Sequence, residues 1–269
     1  MNQTRKTGVA LFSLIILIVI GGCSGKKETT TTKRQFSPIT YLQKADRKAI
    51  ASNKHQAANQ YRNVPTLQYE DQSSYVALVP KNLKIANQQG IYFILARVVQ
   101  ATPITVSMLQ PRTQVTMRVG AVLSGKGIKP KSKINVVYSG GYMTFTQFSQ
   151  YFAAERKPSG LAPSDMVLTQ RTDQFMPSIG DTIVIGVRRL PYKNGSQEYQ
   201  AAIHQARLTS AYVVAQTDTL QWDVNLAKRT MRSRNPQMRQ QSDINPGYFK
   251  DLKGIQREIS HKLHLKIIS

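Results

Sequence analysis

The sequence predicts a mainly β, α+β protein: a small barrel or sandwich with an N-terminal helix leading in and an amphipathic helix at the end. Three observations carry this. Between Tyr75 and Ala215, short β-type runs recur, separated by Gly, Pro and polar clusters. Several of them alternate: Val115, Met117 and Val119 fall on one side and Thr116 and Arg118 on the other, and Ile183, Ile185 and Val187 behave alike. Helical patterns lie before and after this region, with one between the strands at Thr144–Arg156.

Taken in order, Ser37-Pro38 opens a helix, with Ser suited to the N-cap and Pro to the first helical position. Tyr41, Leu42, Ala45, Ala49 and Ile50 recur at helical spacing; a Gln- and Asn-rich continuation runs to about Arg62, Val64-Pro65 ends it, and residues 66–74 read as loop. The strand candidates are Tyr75–Val79, Ile91–Val99, Ile104–Leu109, Gln114–Leu123, Ile134–Tyr138, Met166–Gln170, Thr182–Val187, Tyr199–His204 and Ala211–Ala215. Lys193-Asn194-Gly195-Ser196 is a hairpin signal, because Asn-Gly accepts the positive φ of a type I′ turn. Thr144–Arg156 carries Phe145, Phe148, Tyr151 and Phe152 at helical spacing, a helix expected to plug one side of the barrel, or else an aromatic patch for carbohydrate. After Trp222 the segment holding Lys228, Arg229, Arg232, Arg234 and Arg239 has little apolar content and reads as an exposed linker. Asn245-Pro246-Gly247 is a turn. Lys253–Ile268 then repeats Ile255, Ile259, Leu263 and Ile267 every four residues, an amphipathic helix that either docks on the domain or seeks a membrane or partner surface.

The loop Leu123–Ile134, rich in Gly, Lys and Pro between two strands, and the turn Met176-Pro-Ser-Ile-Gly-Asp-Thr-Ile183 feeding a third, resemble small β-barrels of the OB or SH3-like type over residues 91–190.

The N-terminus supplies the compartment. Arg5 and Lys6 precede an apolar run from Val9 to Ile20, and Gly21-Gly22-Cys23 follows. Positive end, apolar middle and small residues are the order of a secretory signal, and about a dozen apolar residues fall short of the roughly 20 of a spanning helix. Ile20-Gly21-Gly22-Cys23 resembles the lipobox of bacterial lipoproteins, and the segments within residues 91–190 resemble those of lipoproteins of single-membrane (Gram-positive) bacteria. The resemblance implies cleavage before Cys23, a diacylglycerol on its sulfur, and a protein held on the outer face of the cell membrane. The domains expected are a signal peptide (1–22), lipidated Cys23 and a flexible tether (23–36), a helical lead-in (37–74), a barrel or sandwich (75–222), and a basic linker with the terminal helix (223–269). The tether, Ser24–Arg34, has no apolar residue and reaches on the order of 20 Å as a coil.

Charge bounds the partners. The net charge of +23 becomes about +21 once Arg5 and Lys6 leave with the signal, an imbalance that speaks of ligands and solubility, not of fold. Anionic lipid headgroups and wall polymers are the polyanions near a lipoprotein. The candidate polyanion-binding residues are Lys126, Lys129, Lys131 and Lys133 in one loop and Lys228, Arg229, Arg232 and Arg234 in the later segment. One expectation is therefore a non-catalytic envelope module meeting anionic lipid, wall polymer or a protein partner. The alternative is a nucleic-acid-binding accessory of a DNA uptake or conjugation machine, with Tyr138, Tyr142, Phe145 and Tyr151 near Lys126–Lys133 as stacking residues.

Motifs for chemistry are thin. Cys23 is the only cysteine, so the folded part has neither a disulfide nor a Cys-based metal site or nucleophile. Gly120–Gly127 follows a phosphate-binding loop until its last position, where Gly127 replaces the metal-holding Ser or Thr. Glu258, His261 and His264 form a weak metal-type spacing on the terminal helix. Asp165, Asp173, Asp181 and Glu155 are the acids from which a glycosidase pair would have to come, and nothing pairs any two. No enzyme activity, metal or cofactor is expected.

Overall fold

The computed structural model describes residues 36–69, 79–109, 111–152, 160–171, 176–216, 219–235, 238 and 246–268. The signal segment, Cys23, the tether up to 35, most of the expected strand Tyr75–Val79, and Glu155, Asp173 and Arg239 lie outside them.

Five strands close a barrel: β2 (Tyr92–Pro103), β3 (Arg112–Val122), β4 (Lys133–Ser139), β7 (Thr182–Arg189) and β8 (Tyr212–Val214). β2 pairs antiparallel with both β3 and β7, β3 with β4, and β8 joins β4 in parallel and β7 antiparallel. The circuit is first, second, third, fifth, fourth and back to the first, the Greek-key order of an OB-type barrel. Two register shifts between β2 and β3, at Leu95/Ala96 and Val98/Gln100, let these long strands coil around the interior.

The alternation seen in the sequence fills that interior. Ile94, Ala96, Val98, Val115, Met117, Val119, Val136, Tyr138, Ile183, Ile185 and Val187 point inward and are buried. The Tyr138 hydroxyl donates to Gln221 Oε1 at 3.1 Å, so its polar end is satisfied in the core; burial pushes its pKa far up and keeps it neutral.

A second layer covers the outside of β2 and β7. β9 (Gln221–Asn225) and β10 (Thr230–Ser233) extend the sheet beyond β7, and β11 (Lys266–Ile267) adds a parallel edge. Over this face lie α1 (Pro38–Lys44), α3 (Leu83–Gln88) and α6 (Pro246–Leu263), burying Leu42, Leu83, Phe93, Leu95, Val184, Trp222, Met231, Ile255 and Ile259 in a second cluster. Ser37 caps α1 as expected, its Oγ accepting from Thr40 N, with Pro38 in the first turn. The amphipathic face of α6 is spent on this cluster: Ile255 and Ile259 are fully buried and Leu252 and Leu263 nearly so. The terminal helix docks on the domain.

A separate three-stranded sheet, β1 (Thr66–Tyr69), β6 (Met166–Arg171) and β5 (Gly141–Thr144), carries α4 (Phe145–Tyr151). Met143, Phe148 and Val167 form its core.

Several expectations are corrected. Residues 66–69, read as loop, form β1 by parallel pairing with β6, a long-range contact invisible locally. Ile104–Leu109 is loop and a single 3₁₀ turn (Ser107–Leu109). Tyr199–His204 is the body of a helix, α5 (Gln197–Gln205), whose N-cap Ser196 accepts from Tyr199 N, so Lys193–Ser196 is a helix lead and not a hairpin turn. The aromatic helix packs on the three-stranded sheet and does not plug the barrel. The basic segment after Trp222 is the β9–β10 hairpin, anchored by fully buried Met231. Pro246-Gly247 is the first turn of α6, while Asn245 of the expected turn lies outside the described residues.

Candidate functional site

The lead-in helix bends where it meets the barrel. Between α1 and α2 (Arg47–Gln60), Asp46 takes a left-handed conformation (φ 53°). Its carboxylate receives Arg118 Nε at 2.6 Å and Nη2 at 3.0 Å, with Lys133 Nζ at 3.7 Å. Hydrogen bonds from Arg118 hold the Asp46 carboxyl below the usual aspartate range and raise the Arg118 guanidinium. This bidentate pair ties the α1–α2 bend to β3, with α1 over β3 and α2 alongside β2.

With the bend fixed, Arg47 at the start of α2 faces the rim of the barrel. There a cleft of about 950 Å³ opens between the α1–α2 corner, the start of β7 and the β9–β10 hairpin. Five basic side chains line it: Arg47, Arg97, Lys228, Arg232 and Arg234. Two carboxylates face them, Asp181 and Asp223, and Arg234 Nη1 bridges both at 3.2 and 2.7 Å. Arg97 is half-buried, donating from Nη1 to Leu42 O at 2.9 Å and from Nε to Gly180 O at 3.2 Å. Burial first, and then the like charge of Arg47, pull the Arg97 pKa down. Arg47 is itself oriented by its Nε bond to Gln43 O at 2.6 Å, while Lys228 and Arg232 are exposed on the hairpin. An anion entering here meets a preset arginine at the back and two adaptable cations in front.

The expected basic residues divide. Lys228, Arg232 and Arg234 come together in the cleft, joined by Arg47 and Arg97, which the sequence reading missed. Arg229 lies on the same hairpin but outside the lining; its carbonyl accepts from Lys266 N at 2.8 Å. Lys126, Lys129, Lys131 and Lys133 sit together on and beside the β3–β4 loop, away from the cleft. Lys133 faces Asp46, and Lys131 Nζ lies 4.5 Å from the centroid of the Phe36 ring. A signal for Arg97 exists: it is a lone charge in the apolar run Ile91–Val99.

The other candidates take structural places. Gly125 (φ 98°) and Gly127 (φ 95°) turn the β3–β4 hairpin, so the phosphate-loop likeness reflects a turn. A Cβ on Gly125 would stand 1.9 Å from the Tyr92 ring. Glu258 Oε2 accepts from Leu83 N at 2.9 Å at the start of α3, pinning α6 to it. Among the described residues no three His, Cys, Asp or Glu groups gather as a metal site. Asp165 accepts from Ala162 N in a turn and Asp181 from Ser178 N. Of the aromatics proposed to stack on bases, Tyr138 is sealed in the barrel, Phe145 packs against Phe148, and Tyr142 stacks on Tyr61 at 3.5 Å. The Tyr151 side chain lies outside the described residues.

Compared with known proteins, the chain matches no family model and no curated relative. Function is therefore argued from the cleft.

Proposed function

We propose that this chain is an extracytoplasmic lipoprotein, tethered through lipid on Cys23, whose OB-type domain is a non-catalytic module for anionic lipid headgroups or anionic wall polymer. The observation that carries the reading is the convergence of Arg47, Arg97, Lys228, Arg232 and Arg234 on one cleft where, among the described residues, two carboxylates face them. Phosphate-rich polymers and headgroups present repeated negative charge, which suits several cations spaced along a rim. The anchor supports the same ligands. A diacylglyceryl group supplies two acyl chains, enough for stable anchoring, and a basic surface adds about 1 kcal/mol per residue near an anionic leaflet. Among the described residues no helix is long and apolar enough to cross a membrane. With the apolar face of α6 buried in the domain, the protein's own contact with the membrane surface in this reading is made by charge alone.

A second reading rests on the strand order. OB-type barrels hold single-stranded nucleic acid, and the basic cleft would track its backbone. The same assay separates the two. The unlipidated fragment Ser24–Ser269 is titrated with anionic vesicles, a teichoic-type polymer and single-stranded DNA over a salt series. The envelope reading predicts tighter binding to vesicles or wall polymer than to DNA at every salt concentration. A preference for DNA would move the protein into a DNA-handling machine. Mass spectrometry of the membrane-extracted protein tests the anchor: a diacylglyceryl adduct on Cys23, absent in Cys23→Ser, is the expected result.

A further inference from the structure

On the far side of α2 from the basic cleft lies a second cavity of opposite character. It measures about 520 Å³ and opens between α2, the end of β2 and its following loop, and the β5–α4 corner of the small sheet. None of the described residues lining it is charged. In a chain with 37 basic and 14 acidic residues, that neutrality is a selection against ionic ligands of either sign.

What lines it instead is amide, hydroxyl and aromatic. Five side-chain amides border the cavity: Asn53, Gln56 and Gln60 from α2, Gln100 from β2 and Gln147 from α4. Gln56, Gln60 and Gln100 are exposed at its edge. Asn53 is oriented by donating to Val99 O at 2.9 Å, and Gln147 by accepting from Thr144 N at 2.9 Å in a capping box. Thr102 and Thr105 add hydroxyls. The exposed amides of Gln56 and Gln100 offer donors and an acceptor together, the complement of a sugar hydroxyl, which is both at once. The wall is the Tyr61–Tyr142 pair, stacked with ring centroids 3.5 Å apart and planes within 8°. Burial raises both tyrosine pKa values, so the wall stays neutral. Met143 and Ile104, both buried, give an apolar floor. An apolar base with a few convergent polar groups is the usual make-up of a small-ligand site.

We propose that this cavity binds an uncharged carbohydrate unit, with the apolar face of the ring against the tyrosine wall and its hydroxyl or acetamido groups on the amide rim. It is separate from the basic cleft, so the inference stands whether or not that cleft binds polyanions. Together the two sites would let the domain hold an anionic polymer and a neutral glycan at once.

The probe is a panel of neutral oligosaccharides, chitotriose, maltotriose and cellotriose, titrated calorimetrically into Ser24–Ser269, with an uncharged blocked tripeptide as comparison. At least one sugar should bind, with an affinity that hardly changes with salt. Gln100→Leu, at an exposed position that leaves the core intact, and Tyr142→Ala should each weaken it about tenfold or more. Arg232→Ala should leave it unchanged. Should Tyr142→Ala fail to fold, Gln100→Leu and Gln56→Leu carry the test. Silence from the whole panel, preference for the tripeptide, or binding indifferent to both glutamine variants would overturn the proposal.

Discussion

At the scale of single residues, the fold depends on a few side chains placed where charge or space leaves one solution. Asp46 is the clearest. Its carboxylate joins the α1–α2 bend to Arg118 through two hydrogen bonds of 2.6 and 3.0 Å, with both side chains mostly shielded. Asp46→Asn should cost about 1–2 kcal/mol, since charge-assisted bonds are the stronger kind and partial exposure reduces their worth. The pH dependence follows from the sign of the shift. The folded-state pKa is depressed, so the stabilisation is present above the ordinary aspartate value of 3.8 and is lost as pH falls through the lower folded value. Urea unfolding of the two proteins should therefore give a gap at neutral pH that closes in strong acid. Gly125 is the second such residue. At φ 98°, with Tyr92 in the space a Cβ would need, Gly125→Ala should destabilise by about 1–3 kcal/mol or more through backbone strain and displacement of the ring. A lowered thermal midpoint with the β content retained is the expected observation.

At the scale of elements, α6 and α1 decide how the second layer is held. The terminal helix could have been a membrane-seeking element by its sequence alone, because the same fourfold apolar repeat serves a lipid surface or a protein core. Its burial against Trp222, Met231 and α3 puts it in the core. Ile259→Ala should then cost about 2–5 kcal/mol of global stability. Trp222, the only tryptophan and 1% exposed in that same cluster, reports the loss directly by fluorescence during denaturation. Leu42→Ala should do likewise, since Leu42 is fully buried and lies over Gly120 of β3, where an added Cβ would come within 2.6 Å of it. The elements that the sequence shows well are those whose signal is local. β3, β4 and β7 are visible through alternation, and α1 through Ser37-Pro38. Those it hides depend on distant partners. β1 exists because β6 lies beside it, and the β9–β10 hairpin looks like a linker because the apolar residues of its two strands are Trp222, Val224 and Met231, set between polar and charged ones. α5 was readable in principle: Ser196 with Glu198 in the first turn is a helix start, but Asn194-Gly195 suggested a stronger competing turn.

At the scale of the whole molecule, an OB-type barrel separates two surfaces on either side of α2. One gathers cations and the other excludes charge. Three of the five cleft cations were visible in the sequence, as Lys228, Arg232 and Arg234 within one short segment. The other two were not, because Arg47 and Arg97 are brought to it by the bend at Asp46 and by barrel closure, 131 and more positions away in the chain from Lys228–Arg234. The basic loop Lys126–Lys133 was equally visible and ends up elsewhere, partly occupied by Asp46 and by Phe36. Net charge thus pointed to the class of partner, while only the topology selects the surface.

The most direct test of that selection is the affinity of Ser24–Ser269 for anionic vesicles in two double variants, Lys228→Ala with Arg232→Ala and Lys126→Ala with Lys129→Ala. All four side chains are exposed, and both variants remove the same charge. If the cleft is the binding surface, the first pair should weaken binding about thirtyfold, from about 1 kcal/mol per residue, and the second pair far less. Equal losses in the two variants would mean that binding follows net charge and not the cleft, and would contradict the account.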